Sequence, residues 1–314
     1  MNKIFLAGLL LCASCGPRDR SSPESSPRFT VSALTGAAAF KDVEQYVALG
    51  MKVPGTAGDR KAADALKTRL VGMGLKAEWD EFSDATPGGT GTFVNVMATL
   101  PGNKPGLIIL AAHRDTKSGI EGFVGANDSG SGVGVLLALA PVLKAGKGDG
   151  PSVMLAFLDG EECQVNYGPN DGLHGSRHLA ARLVAMGHAR DVRALILLDM
   201  IGDRDLTVAI PRNGTPELIA AVFKAAEEGG VRDKFSLSGQ AVLDDHQPFL
   251  DAGMPAVDLI DFEYGSVPGL NDYWHTQADT MDKLSPESLE TVGRVVLRML
   301  NGLYSTSGSF NAAN

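Results

Sequence analysis

The sequence predicts an α/β fold: a single domain in which a mixed, mainly parallel central sheet is flanked by helices. Three observations carry that expectation. Residues 107–112 (Leu-Ile-Ile-Leu-Ala-Ala), 153–158 (Val-Met-Leu-Ala-Phe-Leu) and 194–198 (Ala-Leu-Ile-Leu-Leu) are continuous apolar runs, the pattern of parallel strands covered on both faces. Residues 133–143 and 175–186, which lie between the runs, have apolar side chains at helical spacing and read as crossover helices. Each run also ends in polar residues, His113-Arg-Asp115, Asp159-Gly-Glu161-Glu162 and Asp199. Ligands of open α/β sheets bind beyond the carboxyl ends of the strands.

In chain order, the first fifteen residues read as an export signal: Lys3, an apolar stretch over residues 4–11, then small residues, too short for a stable membrane span. Leu-Cys-Ala-Ser-Cys15 resembles a bacterial lipobox, which implies cleavage before Cys15, lipid on its sulfur, and a domain anchored to the cell envelope facing periplasm or exterior. Residues 16–28, rich in Ser, Pro and Arg, read as a flexible tether. The folded domain is expected over residues 29–304, followed by a disordered tail over residues 305–314. Within the domain, residues 39–49 and 60–73 read as helices, and residues 75–82 and 93–100 as antiparallel edge strands. Residues 206–210 and 256–260 are further short strands, and residues 217–228 and 286–303 helices, the last capped by Ser285.

Hydrophobic residues make up 44% of the chain and charged residues 21%, enough to bury a large core, and no second domain boundary is visible. The net charge of −9 argues against a nucleic-acid partner. Of the three cysteines, Cys12 leaves with the signal and Cys15 carries lipid. Cys163 then remains alone in the domain, so no disulfide is expected there.

The polar strand ends, together with Asp128 in the turn Gly125-Ala-Asn-Asp128-Ser-Gly-Ser-Gly and His275 in Trp274-His275-Thr276, supply imidazoles and carboxylates without thiolates. That donor set suits a catalytic zinc with an open position. Adjacent acids divide the labour: one holds metal while its neighbour, left free, moves a proton.

In order, His113-x-Asp115, Asp128 before Ser-Gly-x-Gly, Glu161-Glu162, Asp199 and His275 are similar to the ligand pattern of zinc aminopeptidases, over residues 55–303. The resemblance implies a zinc-exopeptidase-like fold, with Asp128, Glu162 and His275 on one ion and His113 and Asp199, with Asp128, on a possible second. Glu161 would be the base, and Asp115 would orient His113. The flanks resemble glutaminyl cyclases more closely: Asp-Gly-Glu-Glu followed by Pro-Asn-Asp-Gly-Leu-His-Gly-Ser-Arg-His, Leu198-Asp199-Met-Ile-Gly202, Asp244-Asp245-His246-Gln-Pro-Phe249 and Trp274-His275-Thr276.

That likeness implies one zinc ion and conversion of the N-terminal glutamine of peptides or proteins to pyroglutamate with release of ammonia. It makes Glu161, Asp199 and Asp244 catalytic and has Trp274 and Tyr167 contact the substrate. The sequence departs from the cyclase pattern at Tyr167, where cyclases have Trp, and at Asp258, where they have His; Arg114 and Thr116 also replace commoner residues. Because every ligand of the two-zinc site is present, an aminopeptidase stays open as the alternative, and a non-catalytic peptide-binding lipoprotein as a third reading.

Overall fold

The computed structural model describes residues 27–146 and 149–305. The expected signal, Cys15, the tether up to residue 26 and the tail from residue 306 lie outside the described residues. Helices α1 (Gly36–Val47) and α2 (Ala57–Gly72) each start at a threonine, Thr35 and Thr56, whose side chain accepts a hydrogen bond from the N–H three residues on. A two-residue Pro-Gly turn then joins β1 (Ala77–Thr86) and β2 (Gly89–Leu100) in an antiparallel hairpin.

The three apolar runs become β3 (Leu107–His113), β4 (Ser152–Leu158) and β5 (Val192–Asp199), linked by α3 (Gly130–Lys144) and α4 (His174–Ala185). After them come β6 (Val208–Ile210), α5 (Pro216–Glu228), β7 (Phe235–Leu237), α6 (Gln247–Asp251), β8 (Ala256–Ile260) and α7 (Pro286–Ser305). The sheet has eight strands in the order β1-β2-β4-β3-β5-β8-β6-β7. Its centre, β4-β3-β5-β8, is parallel, while β2 and β6 pair antiparallel with β4 and β8.

Strict alternation explains why the central strands are apolar throughout. Ile108, Leu110 and Ala112 pack with residues of α1, α3 and α7, whereas Ile109 and Ala111 pack with Leu179 and Leu183 of α4 and Phe249 of α6. Each such Leu or Ile, fully buried, contributes roughly 1.5–3 kcal/mol of transfer free energy. At the far end, Ser285 Oγ accepts the N–H of Ser288 at 3.1 Å and starts α7.

Two expectations are corrected. Only β1 of the hairpin is an edge strand, because β2 is held on its other side by β4 from Val96↔Phe157 to Leu100↔Val153. β7 and α6, three and five residues long, have no counterpart in the sequence reading; they are too short to develop a period.

Candidate active site

The parallel strands bring their carboxyl ends to one edge, and each delivers a polar residue there. β3 ends on His113 and β5 on Asp199, and the turn after β4 carries Glu161 and Glu162. Gly160 makes that turn possible: it sits at φ +67°, and a Cβ there would lie 2.5 Å from the Phe93 ring. Asp128 comes from the loop before α3, and His275 from the loop before α7 at φ 53°, a left-handed conformation uncommon outside glycine.

Asp128, Glu162 and His275 converge, with donor atoms within 4.8 Å of one another. His275 Nε2 lies 3.0 Å from Glu162 Oε1 and 3.2 Å from Asp128 Oδ2. Asp128 Oδ2 is buried against the His275 imidazole, and Glu162 Oε2 faces Lys117 Nζ at 3.4 Å. Buried carboxylate oxygens of this kind, grouped with an imidazole, fit zinc. His113, Asp128 and Asp199 form a second group, in which His113 Nε2 lies 3.0 Å from Asp128 Oδ1 and 3.2 Å from Asp199 Oδ1. Asp128 therefore serves both groups, one oxygen to each.

Charge states follow from burial and neighbours. Burial alone would lower His275, but the Asp128 and Glu162 carboxylates outweigh it and hold the imidazole up at about 9. Burial raises Glu162 to about 7, with the Asp128 charge adding to it. Asp128 is held below the usual carboxylate range, because hydrogen bonds from His113 and His275 outweigh its burial. Glu161 is pushed well above that range by burial and then by the Glu162 charge.

The supports of this group come from elsewhere in the chain. Asp115 lies 3.5 Å from His113 Nδ1 and also accepts the backbone N–H groups of Glu161 and Glu162, both at 3.1 Å. Asp279 accepts the N–H groups of Asn127 at 2.7 Å and Asp128 at 3.1 Å, and receives the Tyr264 hydroxyl at 2.7 Å. It thus ties the loop of His275 to the loop of Asp128. The sequence reading missed Asp279, whose only signal is its place four residues after His275. Arg114, a departure from the cyclase pattern, is fully buried and pairs with Asp59 and Asp159, each at 2.6 Å.

Deeper in the site, Asp244, Asp245, His246 and Asp258 are buried together. Asp258, the position at which cyclases have His, sits in mid-strand on β8. Burial and then the Asp244 charge push its carboxyl well above the usual range, which favours a neutral acid. Burial likewise raises Asp244, and it raises Asp199 to about 6. His246 Nε2 lies 2.9 Å from Asn213 Nδ2, and Asn213 Oδ1 accepts the Val242 N–H at 3.1 Å. That contact fixes the amide's orientation, so Asn213 Nδ2 faces His246 Nε2 together with Val242 O and Gln247 Oε1, and the other ring nitrogen, Nδ1, lies 3.9 Å from Asp258 Oδ2. Asp244, His246 and Asp258 lie close enough by position to hold a metal. Burial lowers the His246 pKa to about 4, so the ring is neutral.

A cavity of about 180 Å³ opens over these groups, lined by Asp128, Glu161, Glu162, Asp199, Asp244 and His275 among others. Tyr167 stands at one wall and donates its hydroxyl to Glu161 Oε1 at 2.7 Å. Trp274 stands at another, its ring stacked 4.0 Å from that of His275. A larger cavity of about 570 Å³ lies where β3 and β4 begin, beside Leu107 and Ser152, away from the acids and imidazoles of the site. Among the remaining histidines, His174 stacks on Phe93 and meets Asp84 at 2.7 Å, His178 stacks on Phe82, and His188 is exposed. Cys163 is buried, its sulfur 3.1 Å from Lys117 Nζ.

Residues 95–300 match the model of peptidase family M28. The chain is 30% identical over 310 residues to a glutaminyl-peptide cyclotransferase-like protein of Bos taurus, covering 90% of this chain and 79% of the relative. It superposes on the glutaminyl cyclase of an Acidobacteriales bacterium with a TM-score of 0.83 and 34% identity, over 91% of this chain and 99% of the other. A Zn-dependent exopeptidase of Parabacteroides distasonis is also similar, with a TM-score of 0.76 and 26% identity over 88% and 99% of the two chains.

Proposed function

The chain belongs to peptidase family M28, and from that premise we propose that it is a zinc-dependent glutaminyl-peptide cyclotransferase, closing the N-terminal glutamine of peptides to pyroglutamate. Asp128, Glu162 and His275 would hold one zinc ion, which would polarise the side-chain amide oxygen as a Lewis acid. Glu161 takes a proton from the substrate's α-amine as its nitrogen bonds to the amide carbon, and returns a proton to the nitrogen that leaves as ammonia. A carboxyl held above its ordinary range suits both halves of that exchange. Tyr167, hydrogen-bonded to Glu161, fixes the direction of the acid. Asp199 and Asp244 line the cavity as polar partners of the closing amide, and Trp274 gives the glutamine side chain an apolar wall.

The observation that carries this reading is the cavity of about 180 Å³ with Glu161 beside the Asp128, Glu162 and His275 group. It is smaller than the roughly 300–1,000 Å³ of ordinary ligand sites, and suits one side chain folding on itself. The His113, Asp128 and Asp199 group favours the second reading, a two-zinc aminopeptidase.

Incubating the purified protein with a glutamine-initiated peptide and with leucine p-nitroanilide, with and without chelator, separates the two. Chelator-sensitive ammonia and pyroglutamyl product are expected. Nitroaniline without ammonia, or two zinc atoms per chain by mass spectrometry, would overturn the one-zinc cyclase.

We also propose export and lipid attachment at Cys15, supported by Lys3, the apolar residues 4–11 and Leu-Cys-Ala-Ser-Cys15. Labelled palmitate entering the full chain but not Cys15→Ala is the expected result, and equal labelling of both would refute it.

A further inference from the structure

A groove of about 480 Å³ runs between α4 and α6 and shares two side chains, Tyr167 and Leu243, with the catalytic cavity. We propose that this groove receives the second and third residues of the peptide substrate and selects apolar side chains there, an inference that rests on the cyclase reading.

The catalytic cavity has room for the glutamine and no more, so the rest of the peptide has to leave it past a wall residue. On the Tyr167 side the next space is this groove, lined by the apolar side chains of Ala181, Pro248 and Ala252. Its volume suits one or two residues, each extending the chain by about 3.5 Å. Leu243, half exposed at 51%, and Tyr167, at 37%, present apolar surface between the two spaces that no other part of the described residues covers. The groove's two charged residues are tied to its own walls by one hydrogen bond each. Arg177 Nη1 donates to Gly168 O at 3.0 Å, and Asp251 Oδ1 accepts from Gln247 Nε2 at 2.6 Å. An apolar substrate side chain gains burial against the apolar walls, while a charged one gives up hydration there.

Tyr167 gives the groove a catalytic consequence. Its hydroxyl is bound to Glu161 and its ring walls the groove, so a side chain packed against the ring steadies the proton-transferring acid. Binding energy gained away from the reacting atoms then appears in kcat more than in KM.

Ammonia release from Gln-Gly-Gly-NH2, Gln-Leu-Gly-NH2, Gln-Gly-Leu-NH2 and Gln-Asp-Gly-NH2 tests this. A leucine at the second or third position is expected to raise kcat/KM about tenfold over glycine, mainly through kcat, and aspartate to give no gain. Ala181→Trp and Ala252→Trp, which fill the groove from α4 and from the end of α6, should each bring the leucine-to-glycine ratio to within about twofold. Equal kcat/KM for all four peptides overturns the groove while leaving the cyclase reading intact, as does a leucine preference that survives both substitutions. Ammonia from none of the peptides overturns the cyclase reading, and the groove with it.

Discussion

The two halves of the site use the same residue types and reach opposite electrostatic outcomes. On the outer side, His275 stands between Asp128 and Glu162, with Lys117 behind them. There the imidazole nitrogen that faces the carboxylates can exchange its proton for a cation, because His275 Nε2 has no other partner to satisfy. On the inner side, His246 turns Nε2 to the Asn213 amide and is kept neutral by burial, its pKa lowered to about 4. Carboxyl groups there answer crowding by holding protons. Clusters of the same residue types thus differ in the charge of their imidazole, which follows from burial and from which carboxylates face the ring.

The sharpest way to break the contrast is at the outer half's proton carrier. Glu161→Gln keeps the size of the side chain and leaves the zinc donors untouched, so bound zinc should persist while kcat falls by about 10²–10⁴-fold. Zinc content by mass spectrometry beside turnover checks this, and retained turnover removes Glu161 from its role.

A smaller effect is expected from Asp279→Asn, which turns into a donor one of the two oxygens that between them accept the Asn127 and Asp128 N–H groups and the Tyr264 hydroxyl. Zinc affinity should weaken by about 10–100-fold, the usual cost of losing a group that orients a ligand. Competition with a chelating dye measures it, and an unchanged affinity would show that the Asp128 loop holds its shape without Asp279.

The smallest effect belongs to the inner half and depends on pH. His246 has a folded pKa of about 4 against an ordinary 6.5, so the unfolded chain takes the proton first as pH falls. Stability from this group is intact above pH 6.5 and declines below it. Between pH 7 and 5.5 the decline is about 1 kcal/mol. Urea midpoints of the natural chain should therefore drop more over that interval than those of His246→Asn; parallel drops would mean that His246 titrates normally.

The apolar runs of the central strands, and the donors that close them, were legible in the sequence because they obey local rules: a strand buried on both faces must be apolar throughout, and it ends where polarity returns. Asp128, Glu161, Glu162, Asp199 and His275 each stood at such an end or in a glycine-rich or aromatic loop. Asp279 and Lys117 had no pattern to mark them, because their roles consist of contacts with residues far along the chain. The length of the hairpin was also underestimated, since residues 83–86 and 89–92 are polar and extend a ladder made by backbone hydrogen bonds alone.

The sequence by itself determined the class of fold, the chemistry of the donors and the edge of the sheet at which they gather, since these follow from periodicity and residue type. Only the tertiary structure decided which oxygen of Asp128 faces which imidazole, that Asp258 is buried in mid-strand beside His246, and that a groove adjoins the cavity behind Tyr167. Those outcomes depend on contacts between segments far apart in the chain, such as that of Asp279 with Asp128, 151 residues away, and packing sets them after local preference has been spent.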